Sequence, residues 1–201
     1  LFLYDHLAKR KNLAASQKIN LSNNPKAAPL LESIRTGFTY TDCWVDDARL
    51  VVLNALDAQE RGATILTHTS ATSARRRDGV WDVELRSKSG TVHKLRAKAI
   101  ANAAGPWVEN IITGVTGANS SRKVRLVKGS HIIVEKFWEG PQAYLFQNND
   151  KRVIFVNPYE GNKALIGTTD IPYHAAADKV AITADEIDYL LAAVNRYSRK
   201  Q

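Results

Sequence analysis

The 201 residues contain no methionine and a single cysteine. One thiol, Cys43, excludes an internal disulfide and makes a reducing, intracellular setting the simpler reading. As a lone thiol it reads as a small buried hydrophobe rather than a nucleophile. With Leu1 in first place and no methionine to start from, the chain reads as an interior segment whose true N-terminus lies upstream. Long apolar runs are also missing. Crossing a bilayer takes roughly 20 mostly apolar residues, and uncharged stretches such as Ala99 to Val108 are far shorter and hold Asn, Gly and Pro. Leu1-Phe2-Leu3-Tyr4 is followed at once by Asp5, His6, Lys9, Arg10 and Lys11, so these residues are not expected to be a signal peptide.

The usual phosphate-binding signatures are absent too. Neither G-x-G-x-x-G nor G-x-x-x-x-G-K-[ST] occurs, so any dinucleotide contact lacks the glycine-rich phosphate loop. The five histidines have no metal-ligand spacing and one cysteine cannot build a zinc site, so no metal is expected. G-x-S-x-G is missing as well, and Gly129-Ser130-His131, its nearest likeness, is taken as strand-edge packing.

What remains is a composition that is 44% hydrophobic, enough for a real core in one large or two small domains. The formal charge of +8 draws anions in general and selects none of them. Arg75-Arg76-Arg77, Arg122-Lys123 and Lys151-Arg152 fall at expected turns and strand ends and read as solvated surface. Trp81, Trp107 and Trp138 are not interleaved with them, so nucleic acid is not an expected partner.

Along the chain, residues 1–26 read as a short helix and a loop. Phe38-Thr39-Tyr40 reads as a strand leading to Asp46 or Asp47, either of which caps a helix running to Gly62. Ala48, Val51, Val52, Ala55 and Ala58 line one face of that helix and Leu50, Leu53 and Leu56 much of the rest, so it is expected to be mostly buried. Ala63 to Leu66 reads as a short buried strand. From His68 to Arg96 the period falls to two, with hairpin signals at Asp78-Gly79 and Ser89-Gly90, which gives a three-stranded antiparallel meander. Ala99 to Asn102 reads as a small-residue strand, followed by a helix from Pro106 to about Ile112. Beyond the polar connector 114–123, Val124 to Glu135, Ala143 to Gln147, Val153 to Val156 and Ala164 to Gly167 are four strands of a second, largely antiparallel sheet. Thr183-Ala184-Asp185-Glu186 is a capping box, opening a helix with Ile187, Leu190, Leu191 and Val194 on one face.

The fold class is thus α/β, or α+β, in two parts. Residues 1–36 form a helical and loop segment, 37–113 a part containing the meander and 114–201 a part containing the second sheet; the family resemblance given below implies that the middle part belongs to a cofactor-binding domain and the other two to a substrate-binding cap domain. The turn Asn102-Ala103-Ala104-Gly105-Pro106-Trp107 carries the most chemistry. Its small side chains let backbone approach a phosphate or flavin closely, at the start of a helix whose amides favour anions. On physics alone, a tight turn that needs small residues only for packing is the favoured reading.

Four stretches together resemble the bacterial aerobic FAD-dependent glycerol-3-phosphate dehydrogenases. They are Gly37-Phe38-Thr39-Tyr40-Thr41-Asp42-Cys43-Trp44-Val45-Asp46-Asp47-Ala48-Arg49-Leu50, Asn102 to Val108, Val124-Arg125-Leu126-Val127-Lys128-Gly129-Ser130-His131 and Ile166-Gly167-Thr168-Thr169-Asp170. The likeness runs from Tyr4-Asp5-His6-Leu7 to the final helix. It implies a parent flavoprotein oxidoreductase of glycerol metabolism, which oxidises sn-glycerol 3-phosphate to dihydroxyacetone phosphate and passes electrons to quinone. The implied place is the cytoplasm, peripheral on the inner face of the cytoplasmic membrane. It also implies that the Ala71 backbone meets the adenine end of FAD, that Ala103, Ala104, Gly105 and Trp107 lie beside the pyrophosphate and flavin, and that Thr168 and Thr169 belong to the substrate side.

No catalytic residue is expected within the chain. In that family the glycine-rich FAD turn and the arginines and lysine that clamp the substrate phosphate fall outside residues 1–201, so the segment alone is expected to be inactive and to hold FAD weakly or not at all. Two other readings stay open. One is an amine or hydroxy-acid oxidase of the same flavin superfamily, the other a non-catalytic anion-binding module.

Overall fold

The computed structural model describes residues 1–7, 12–121 and 123–200. Lys9, Arg10 and Lys11 of the opening basic stretch and Arg122 of the connector lie outside the described residues. In chain order the elements are α1 (Phe2–His6), β1 (Gln17–Asn20), β2 (Thr36–Thr39), α2 (Asp47–Glu60), β3 (Thr69–Arg77), β4 (Val80–Ser87), β5 (Val92–Ala97), α3 (Val108–Asn110), β6 (Val127–Lys128), β7 (His131–Glu135), β8 (Tyr144–Gln147), β9 (Val153–Tyr159), β10 (Lys163–Gly167), β11 (Ile171–Pro172) and α4 (Ala184–Asn195). All the strand pairings are antiparallel, so the fold mixes helices with antiparallel sheets. The chain divides into two compact units, one made of Leu1–Cys43 with Val127–Gln201 and the other of Trp44–Leu126.

The first unit is built on a four-stranded sheet in the order β7-β10-β9-β8. Its register sets Ile166 opposite both Ile132 and Val156, and Phe146 opposite Ile154, so alternate residues make one apolar face. Against that face α4 lays Leu190, Ala193 and Val194, and Leu21 and Leu30 join from the N-terminal segment. Ile154, Val156, Ala164 and Leu190 are wholly shielded from solvent. The expected capping box is present, with Thr183 and Glu186 bonding reciprocally. The buried stripe of α4 runs through Glu186, Leu190, Ala193 and Val194, while Leu191 faces solvent, so the buried face is rotated from the expected one and begins at a carboxylate.

The expected strand 124–135 is in fact two. β6 pairs with β11 in a separate ribbon while β7 joins the main sheet, because the chain changes sheets at Gly129-Ser130.

In the second unit β3, β4 and β5 form the expected meander. Asp78 (φ +47°) and Gly79 (φ +81°) make the two-residue turn between Arg77 and Val80, the left-handed pair that matches strand twist. One face places Ala74 beside Val83, both buried. α2 has the expected ends. Asp46 accepts a hydrogen bond from the Arg49 amide, and at the other end Gly62 N donates to Gln59 O and Ala63 N to Ala58 O, the paired bonds of a Schellman stop.

The burial expected of α2 is not found. Val51 is 68% exposed and Val52 56%, and Leu50, Leu53 and Leu56 are also exposed, because no other element of its unit covers the helix. Ala63 to Leu66 and Ala99 to Asn102 are not strands, since no neighbouring strand of the unit pairs with them. Cys43, expected to be buried, is exposed. Among the described residues no helix is long and apolar enough to cross a membrane, and no group of His, Cys, Asp or Glu could hold a metal ion.

Candidate functional site

The residues singled out in the sequence fall on three elements. Ala71 lies half-buried on β3, opposite Leu85, where the register slips between Ala71 and Ser73. The exposed Thr72 is the extra residue of this bulge, and its hydroxyl donates to the Glu84 carbonyl at 3.3 Å and carboxylate at 3.2 Å. A bulge leaves its extra residue out of the ladder and bends the strand.

The second element is the turn 102–107. Asn102 closes it: the side-chain amide donates to Val108 O at 2.9 Å, the side-chain oxygen accepts from Ala104 N at 3.3 Å, and Trp107 N donates to Ala104 O at 3.0 Å. Ala103 and Gly105 are exposed, Trp107 is 48% exposed, and no atom lies within 4 Å of where a Cβ on Gly105 would sit. The result is bare backbone held firm by one amide side chain, a role for Asn102 that composition alone did not reveal. The helix expected here is irregular. Gly105–Trp107 is a 3-10 turn, α3 is three residues long, and Ile111–Val115 is wound as a π-helix, so the aligned amides of a regular helix start are missing. On the meander a shallow depression lined by His68, Ser70, Thr72, Arg86, Ser87 and Lys88 includes none of the singled-out residues.

The third element, in the other unit, is the turn that leaves β10. Thr168 is half-buried and donates its hydroxyl to Thr169 O at 3.0 Å, while Thr169 is buried. Thr169 belongs to a polar cluster beneath the strand crossing that sequence reasoning missed. The Glu186 carboxylate, 2% exposed, accepts Ser130 Oγ at 2.8 Å and Thr169 Oγ1 at 2.9 Å on one oxygen. On the other it accepts Lys128 Nζ at 2.6 Å, Thr183 N at 2.9 Å and Thr183 Oγ1 at 3.0 Å. Ser130 N in turn donates to Thr169 Oγ1 at 2.7 Å, and Thr169 N to Ser130 O at 3.3 Å.

Burial alone would push the Glu186 carboxyl up. The bonds from Lys128, Ser130, Thr183 and Thr169 outweigh it and hold the group down at about 2. Ser130, read from sequence as strand-edge packing, is thus a buried hydrogen-bonding residue. The available signal was the capping-box glutamate, whose second oxygen a local motif leaves unassigned.

Two glycines let the crossing close. A methyl group on Gly129 would run into Thr168 Oγ1 and the Thr169 carbonyl, and one on Gly167 into the His131 ring. Burial holds the His131 imidazole below its ordinary value.

Residues 3–200 match the family described as FAD dependent oxidoreductase. The chain is 58% identical to D-erythritol 1-phosphate dehydrogenase of Brucella abortus (strain 2308), with all of this chain and 40% of that protein covered. It is 47% identical to glycerol-3-phosphate dehydrogenase of Pseudomonas tolaasii, again over all of this chain and 39% of that one. The solved glycerol-3-phosphate dehydrogenase of Bacillus halodurans, complexed with FAD, superposes with a TM-score of 0.71 at 28% identity, covering 93% of this chain and 42% of that one. The chain therefore spans about 40% of the length of the curated relatives it matches.

Proposed function

The chain belongs to the FAD dependent oxidoreductase family, and from that premise we propose that it forms part of a flavoenzyme that oxidises the alcohol of a small polyol phosphate. The carrying observation is identity of 47% and 58% along the whole chain to two dehydrogenases named for such substrates. In this reading sn-glycerol 3-phosphate is oxidised to dihydroxyacetone phosphate. FAD, when bound, supplies the redox chemistry as hydride acceptor.

The chain's own part is to position. The Ala71 backbone, at the β3 bulge, meets the adenine end of the cofactor. The Ala103, Ala104, Gly105 and Trp107 stretch lies along the pyrophosphate and flavin. That turn suits the group, because its backbone is exposed, its side chains are small and Asn102 fixes its shape. Trp107, half exposed, offers an aromatic face to the ring system. Thr168 and Thr169 serve the substrate side. Trp44–Leu126 is then the cofactor-side unit and the discontinuous unit the substrate side. The reading extends to quinone as electron acceptor and to a cytoplasmic enzyme peripheral on the inner face of the membrane.

D-erythritol 1-phosphate is a second substrate reading, favoured by the 58% identity. Both substrates present a phosphate and a secondary alcohol, and they differ in length by one hydroxymethylene. Mixing the full-length yellow protein anaerobically with each compound and following the loss of oxidised-flavin absorbance decides between them. Rapid bleaching by one compound and not the other assigns the substrate. If neither bleaches the flavin, the polyol phosphate reading is wrong.

A further inference from the structure

Two turns lie side by side where the chain passes from the main sheet of the first unit to the β6–β11 ribbon. Gly129-Ser130-His131 leads into β7 and Gly167-Thr168-Thr169 leads out of β10. They pack so closely that a methyl group on Gly129 would meet the Thr168 side chain and one on Gly167 the His131 ring. Beneath them lies one carboxylate from a third element, α4. Glu186 takes one hydroxyl from each turn, Ser130 and Thr169, on the same oxygen at 2.8 and 2.9 Å. Its other oxygen is held by the Lys128 ammonium at 2.6 Å and by both donors of Thr183, so the carboxylate cannot rotate without breaking several bonds. Lys128 is anchored in turn, since Nζ also donates to Ala181 O at 3.0 Å. The ammonium side chain is 9% exposed and the carboxylate side chain 2% exposed.

A buried ion pair is a poor choice for stability alone, because removing two charges from water costs much of what their attraction returns. Its strength is directional: charge-assisted bonds fix atoms more tightly than apolar packing does.

We propose that Glu186 is a positioning residue, which through Ser130 and Thr169 sets the place of the Thr168–Thr169 turn against the substrate. Glu186 touches no substrate itself. It acts as the common anchor of two turns that otherwise meet through the Ser130–Thr169 hydrogen bonds and a glycine crossing. Lys128 keeps it ionised and oriented, and Thr183 ties it to the start of α4. The inference rests on the reading above that the Thr168–Thr169 turn meets the substrate. A placement error of about 1 Å in a substrate-positioning group costs on the order of a hundredfold, so partial loosening of the anchor gives a smaller but measurable loss of kcat/KM.

The test uses the full-length flavoenzyme with whichever polyol phosphate reduces it. Glu186→Gln keeps the shape of the side chain and removes its charge. The expected result is a KM raised about tenfold, kcat changed less than about threefold, and flavin content retained, as befits looser binding rather than altered chemistry. Ser130→Ala removes one donor while leaving the ion pair, and serves if Glu186→Gln does not fold; its KM is expected to rise about threefold. Ile154→Ala, a core truncation in the same unit, supplies a matched loss of Tm and is expected to leave KM unchanged.

Thr168→Val tests the underlying reading by itself. If Thr168→Val raises KM and the Glu186 and Ser130 variants do not, Glu186 is structural only and the positioning role is overturned while the turn keeps its place at the substrate. If none of the three moves KM, the turn does not meet the substrate and both statements fall. If Ile154→Ala raises KM as much as Glu186→Gln does, the effect is general loosening and the positioning role is overturned.

Discussion

The Glu186 network makes a quantitative prediction about stability in acid. In the unfolded chain the carboxyl titrates near its ordinary value of 4.5, and in the folded protein at about 2. A lowered folded value means that the folded state binds the proton more weakly than the unfolded one. The contribution is therefore complete above the unfolded value and is lost as pH falls from there toward the folded one. At about 1.4 kcal/mol for each tenfold difference in proton affinity, it is worth about 3 kcal/mol at neutral pH and about 1 kcal/mol near pH 3.

Glu186→Gln removes the titrating group and strands Lys128 in the interior, so the variant should be less stable by roughly 3–5 kcal/mol at neutral pH. The gap should then narrow by about 2 kcal/mol between about pH 7 and about pH 3. Comparing variant with wild type subtracts the other carboxylates, which titrate in both. Urea unfolding of the two full-length proteins, followed by tryptophan fluorescence, reads the gap. Trp138 is 5% exposed and belongs to the same core as Leu190 and Val194, so its emission reports on this unit. A gap that stays constant to within about 0.5 kcal/mol across that range would refute the account of the carboxylate as ionised and bonded by five donors.

Other expectations follow from single features. Gly167→Ala, which drives a methyl group into the His131 ring, should lower the urea midpoint by an amount worth about 1–3 kcal/mol, and an unchanged midpoint would mean that the crossing is slack. Gly79→Ala places a side chain at φ +81° and should cost about 1 kcal/mol, read as a shift in Tm of the full-length protein; no shift would mean that the hairpin turn takes another form. The 201-residue chain titrated with FAD should show no tight stoichiometric uptake, because it lacks a glycine-rich phosphate loop; a sharp equivalence point would contradict this.

Elements specified by their own residues were legible in the sequence. The meander follows from alternation in Trp81, Val83 and Leu85 and from the Asp78-Gly79 turn. The start and stop of α2 follow from Asp46 and Gly62, and the start of α4 from Thr183 and Glu186. What failed was everything that needs a partner to be known. The apolar residues of α2 correctly mark a helix that wants burial, but periodicity does not say whether a covering element lies in the same stretch of chain. Ala63 to Leu66 and Ala99 to Asn102 have strand composition without strand neighbours. The 102–107 turn was legible, because small residues cluster there in sequence. The Glu186 cluster was not, because Lys128, Ser130, Thr169 and Glu186 lie far apart in the chain and only the change of sheets at Gly129-Ser130 brings them together.

The division of the chain also sets an order of assembly during synthesis. Trp44–Leu126 is one uninterrupted stretch, and its meander joins strands that follow one another directly, so the strand pairings of the meander are available as soon as they have been made. The other unit is split around it. Leu21 and Leu30 come from before the insertion, whereas Ile154, Ile166 and Leu190 come from after it. The Arg199 side chain donates to the Leu30 carbonyl across 169 positions. During synthesis Leu21 and Leu30 must therefore wait, unsheltered by the core they join, until Leu190 of α4 has been made.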